Sequence, residues 1–79
     1  MHNQFPEMFL TDQVIRGKWI LAKSKARPEE SQFCRVITFD GNEYLGLYCP
    51  QLSKDGNGAF SIGSGIVFWL SVVAWKICE

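Results

Sequence analysis

The residues best placed to do chemistry in this chain are cations. Arg16, Lys18, Lys23, Lys25 and Arg27 fall within twelve positions with no acid among them, and Trp19 is interleaved. Lys and Arg side chains grip a phosphate backbone, and an exposed indole stacks a base. Against a nucleic-acid reading stands the whole chain: eight basic and eight acidic side chains, net charge zero. Nucleic-acid binders carry a basic balance. The simpler reading of the five cations is the solvated face of a strand and loop, balanced by Asp12, Glu29 and Glu30.

Other chemistry is thinly supplied. Histidine, the usual general base, occurs once, as His2. No Ser-His-Asp or Cys-His set can be assembled around it. Glu29 and Glu30 adjoin Pro28, and Asp40 and Glu43 flank a Gly-Asn pair, which are positions of turn-formers rather than of a catalytic pair. The three cysteines, Cys34, Cys49 and Cys78, are spaced by 15 and 29 residues with no Cys-x-x-Cys pair. That is neither a disulfide framework nor a zinc site. They read as reduced, partly buried thiols of a cytoplasmic protein, with Cys34 and Cys49 able to face each other across a hairpin. Residues 52–58 hold two Asx-Gly signals but lack the Gly-Lys-Ser/Thr ending of a phosphate-binding loop. The expectation is a non-enzyme with no cofactor and no metal.

The elements that must position these residues are strands. Phe33–Phe39 and Tyr44–Cys49 are rich in β-branched and aromatic residues and flank Asp40-Gly41-Asn42-Glu43, a strong hairpin signal. Both arms carry apolar groups on both faces, which calls for cover on each side or for rolling into a small barrel. Gly46 marks a bulge or bend, and Pro50 stops the second arm. Residues 1–10 read as irregular, though Phe5, Met8, Phe9 and Leu10 are apolar enough to dock. Thr11-Asp12 offers an N-cap and Gly17 a stop, so one short helix near 11–17 is allowed, a strand being the alternative. Residues 18–22 read as a strand, 23–31 as a loop and 59–62 as a strand. Residues 66–70 and 72–77 read as one strand broken at Ser71, or as two. The fold class is mainly β: a small antiparallel sheet or partly closed barrel on a central hairpin, one domain over 1–79.

The last third of the chain is the most apolar. No charge falls between Ala59 and Trp75. Seventeen residues touch the lower limit of a spanning helix. Three serines, Gly63 and Gly65 inside the segment favour two adjacent strands, and no membrane association is expected. Neither is a signal peptide, since residues 1–7 hold no apolar run. Eleven aromatic residues are many for a chain that can bury only about 60–65% of its unfolded surface. In the 66–70 strand, Ile66, Phe68 and Leu70 face one way, and Val67 and Trp69 the other. Phe68, Trp69 and Trp75 are therefore candidate partner-binding anchors, or else core. Zero net charge also removes repulsion between copies, which allows a homodimer through these strands.

A longer pattern runs through the chain. Trp19-Ile20 leads into the basic stretch, then Pro28-Glu29; Val36 sits in a strand, followed by a Gly-containing turn, Tyr48, Phe60 and a closing Val73-Ala74-Trp75. This resembles the short phage and prophage proteins catalogued as domain of unknown function 551, over about residues 18–77. The family closes on His-Trp followed by Met-Pro; here those positions are Ala74-Trp75 and Lys76-Ile77, so no role of that histidine carries over. The resemblance implies a small β-rich fold, a mobile-element origin and a bacterial cytoplasm, and no activity. The function expected is a small protein-binding module that occludes a host protein, with a component of an antiviral defence system as the target class. The alternative is a nucleic-acid-binding accessory protein using residues 16–27.

Overall fold

The central turn is built by Asp40 and Gly41, as a three-residue loop. β3 (Phe33–Thr38) and β4 (Glu43–Cys49) pair antiparallel. The Thr38 N–H donates to the Asn42 carbonyl, and the Gly41 N–H to the Thr38 carbonyl, both at 3.0 Å. Gly41 adopts φ 87°, the left-handed position that closes such loops. The Asp40 carboxylate accepts the Thr38 hydroxyl and, at 3.1 Å, the Asn42 side-chain amide.

The computed structural model describes residues 10–11, 17–53 and 55–78. Besides the hairpin it contains β1 (Leu10–Thr11), β2 (Trp19–Leu21), β5 (Ala59–Ile62), β6 (Gly65–Phe68) and β7 (Val72–Ile77). The strand order is β1-β2-β7-β3-β4-β5-β6, antiparallel throughout except for the two-residue β1–β2 pair. The mainly β class and the central place of the hairpin are as expected. Leu10 belongs to a strand rather than to an irregular segment. The helix expected near 11–17 falls on residues 12–16, outside those described, while Thr11 lies in β1. The segment expected at 66–70 ends at Phe68 and passes into a single 3-10 turn, Trp69–Ser71.

That turn forces the sheet to curl. Four strand spacings separate β6 from β7 in the hydrogen-bonded order, about 19 Å if flat. Four residue steps from Phe68 to Val72 reach at most about 14 Å. The sheet bends until the end of β6 approaches the start of β7. The Phe39 N–H donates to the Ser71 carbonyl at 3.1 Å, one step beyond the β3–β7 ladder. Gly46 permits the bend: a Cβ there would lie 2.8 Å from the Ser61 carbonyl oxygen. β7 also bulges, since Ile37 pairs with Ala74 but Thr38 with Val72. Among the described residues the ladder ends at β6.

Curling encloses the inner face. Ile20, Val36, Tyr48, Phe60, Trp69 and Trp75 fill it with Cys34, Val67 and Ile77. Trp69 stacks on Phe60 with ring centroids 5.7 Å apart and meets Trp75 edge-on at 6.4 Å. The outer face is covered only in part, where Trp19 packs with Ile37 and Ala74.

Candidate functional site

Two strand periodicities leave apolar groups outside. Phe33 sits directly opposite Leu47, Leu47 opposite Ser61, and Ser61 opposite Ile66. One step along, Arg35 is opposite Leu45. Phe33, Leu45, Leu47 and Ile66 are exposed between 43% and 46%; Phe33, Leu45 and Leu47 form an apolar patch on β3 and β4, and the exposed Ser61 of β5 separates it from Ile66. The Arg35 guanidinium donates to the Glu43 carboxylate at 2.6 Å beside this patch. At the seam of the curl lies a cleft of about 390 Å³. β6 forms one wall, and the 38–40 turn with Tyr44 forms the other. Phe39 and Leu70, at 75% and 61% exposed, line it too.

The expected anchors divide. Phe68 is half-buried and lines the cleft. Trp69 at 5% exposed and Trp75 at 0% lie in the interior, the core alternative left open by the sequence. The reason is the curl: it turns Val67 and Trp69 inward and leaves Ile66 outside. The exposed residues Phe33, Leu45, Leu47, Phe39 and Leu70 were missed as contact candidates. The signal that could have found them is that Phe33 and Leu47 alternate out of phase with the core residues Cys34, Val36 and Tyr48.

The basic stretch divides as well. Arg16 lies outside the described residues. Lys23 and Lys25 are exposed, and Lys18 is half-buried. Trp19 is buried, with the Lys76 ammonium 4.8 Å over its ring. Arg27 is structural: its guanidinium donates to the Ser24 and Ala26 carbonyls and to Asn57 Oδ1 at 2.7 Å, and stands 4.3 Å over Trp69. It pins loop 22–28 to loop 50–58, where the Tyr48 hydroxyl also donates to the Asn57 carbonyl.

The thiols do not converge as expected. Cys34 pairs in register with Gly46 and points inward, while Cys49 lies on the outer side opposite Ala59. The two do not face each other, because residues fifteen apart in this hairpin are out of register. All three cysteines are free. Burial, then the neighbouring Cys78 thiol, pushes the Cys34 thiol up to about 12, which suits a packing residue and not a nucleophile. Among the described residues no cluster of His, Cys, Asp and Glu could hold a metal. Ala59 to Trp75 runs through β5, β6, the 3-10 turn and into β7, and no helix among the described residues is long and apolar enough to cross a membrane.

No family model, curated protein or solved structure matches the chain.

Proposed function

We propose that this chain is a small protein-binding module of phage or prophage origin. It acts in the bacterial cytoplasm by occluding a host protein, with a component of an antiviral defence system as the target class. The observation that carries the reading is the patch of Phe33, Leu45 and Leu47, large apolar side chains left half-exposed side by side on a domain with a filled core. Contiguous exposed apolar surface of this kind marks a contact site. The resemblance to the family of short phage proteins supports the origin, and it bears on nothing finer. The nucleic-acid alternative gains no support from the placement of Trp19 and Arg27.

Affinity capture from a bacterial lysate tests the reading. The immobilised chain is compared with a Leu45→Glu, Leu47→Glu double variant whose circular dichroism matches. One host protein should be retained by the first and lost by the second. Identical retention by both, or no reproducible retention by either, rejects the proposal.

A further inference from the structure

We propose that Asn57-Gly58 is a latent deamidation site, which Arg27 and Tyr48 hold shut in the folded chain and whose conversion to isoaspartate releases loop 50–58 from loop 22–28.

The residue pair comes first. When glycine follows asparagine, its backbone nitrogen reaches the side-chain carbonyl carbon with least obstruction, because glycine has no Cβ. Asn57 is the one asparagine of the chain with glycine after it; Asn3 precedes Gln4, and Asn42 precedes Glu43. The Gly58 nitrogen bonds to Asn57 Cγ and the Cγ–Nδ2 bond breaks. Nδ2 leaves as ammonia, with the proton that the Gly58 nitrogen gives up. Water then adds across one C–N bond of the cyclic imide. Opening beside the side-chain carbonyl gives aspartate. Opening beside the main-chain carbonyl gives isoaspartate, with the backbone rerouted through the former side chain. No electrons are gained or lost.

The fold restrains each group that must move. Arg27 Nη2 donates to Asn57 Oδ1 at 2.7 Å, the Asn57 N–H donates to the Asp55 carboxylate at 3.1 Å, and the Tyr48 hydroxyl donates to the Asn57 carbonyl. Turning the amide onto the Gly58 nitrogen works against these bonds. Arg27 is itself fixed by the Ser24 and Ala26 carbonyls, at 2.7 and 2.8 Å, and by the Trp69 ring. The grip therefore comes from the body of the domain and not from the loop alone. Gly58 is buried, which disfavours the amide anion that attacks. Deamidation then proceeds from the fraction of chains in which this clasp has opened.

The isoaspartate product does not reclose. It inserts a methylene into the backbone before Gly58, and the carbonyl that accepted the Tyr48 hydroxyl becomes a pendant carboxylate. Gly58 has no room to shift: a Cβ there would lie 2.6 Å from the Tyr48 hydroxyl oxygen, and its carbonyl accepts the Trp69 N–H at 3.2 Å. Aspartate, by contrast, keeps the path of the chain and still offers Arg27 an acceptor.

Ageing the full chain at physiological temperature and mildly alkaline pH tests this. Asn57 is followed by peptide mass, and isoaspartate by isoaspartyl methyltransferase labelling. The folded chain should deamidate about tenfold or more slowly than the same chain in guanidinium chloride, the size of one hydrogen bond from a charged group. Arg27→Met and Tyr48→Phe, checked by circular dichroism, should each deamidate faster than the wild type; if the first does not fold, the second carries the test. In the isoaspartate form, hydrogen exchange should rise over 22–28 and 50–58 and not in β3 or β4. In Asn57→Asp it should stay as in the wild type. Equal rates in the folded and denatured chain, a folded variant no faster than the wild type, an isoaspartate form that exchanges like the wild type, or an Asn57→Asp that exchanges like the isoaspartate form overturns the proposal.

Discussion

Trp69 and Trp75 differ at one atom. The Trp69 indole N–H donates to the Ala22 carbonyl at 3.1 Å in the interior. The Trp75 indole nitrogen is equally buried and has no acceptor. Replacing Trp69 by Phe leaves a buried carbonyl without its donor; the same change at Trp75 breaks no bond. Trp69→Phe is expected to cost about 1–2 kcal/mol more than Trp75→Phe, read from paired urea unfolding curves. Equal costs would show that the bond contributes nothing net. Trp69→Ala goes further. It removes the contacts with Tyr48, Phe60 and Trp75, a loss of about 3–5 kcal/mol, comparable with the whole stability of a small domain. Alternation in the sequence puts Val67 and Trp69 on one side of the 66–70 segment. Which side is inside was not legible, because it depends on a curl set by the short link from β6 to β7.

The turns carry the next level of specification. Ser31 adopts φ 64° as the chain enters β3. The Ser31 N–H and the Gln32 carbonyl both bond Tyr48, so two residues oppose one, and the Gln32 N–H closes a turn on Glu29. Glycine suits that position. Ser31→Gly should stabilise by about 0.5–1 kcal/mol by removing left-handed strain. Gly58 is the opposite case. It holds φ 88°, and a Cβ there would lie 2.6 Å from the Tyr48 hydroxyl oxygen. Gly58→Ala should destabilise by about 2 kcal/mol or more. Denaturant midpoints of the two variants should move in opposite directions, and a shared direction would refute the backbone account. The turn acids add a pH dependence. Hydrogen bonds from Thr38 to Asp40 and from Asn57 to Asp55 lower both carboxyl pKa values. A depressed carboxylate stabilises above its unfolded value of about 3.9 and loses that contribution as pH falls through the folded value. Thermal midpoints should hold from neutral pH to about 5 and drop below about 4, less steeply in Asp40→Ala. The loop made by Asp40 and Gly41 was plain in the sequence because the residues themselves dictate it. Ser31 gave no such sign, since nothing local demands a positive φ from serine.

For the molecule as a whole, the apolar patch of Phe33, Leu45 and Leu47 lies on a chain of zero net charge. Without a partner, two copies can cover this patch with each other across a two-fold axis. Sedimentation velocity at tens of micromolar should show reversible self-association that weakens in Leu47→Lys, since each added charge would face its copy. A concentration-independent monomer would end that claim and leave a heterologous partner open. Strand positions and the central hairpin were legible because they follow from alternation and turn chemistry. The contact surface was not, because it is made of residues from β3 and β4 that only the register brings side by side.

β7 has a temporal consequence as well as a structural one. It lies between β2 and β3, so it joins the short N-terminal strands to the meander. Its pairing with β3 matches Cys34 to Ile77, 43 residues apart, whereas the β3–β4 and β5–β6 hairpins close locally. Closing long loops costs entropy before contacts return it, so the local hairpins should form early and β7 should dock late. Core truncations such as Ile77→Val should then appear mainly as faster unfolding, and changes in the 38–42 turn as slower refolding. Until β7 docks, the seam between β6 and the hairpin is wider than in the finished fold.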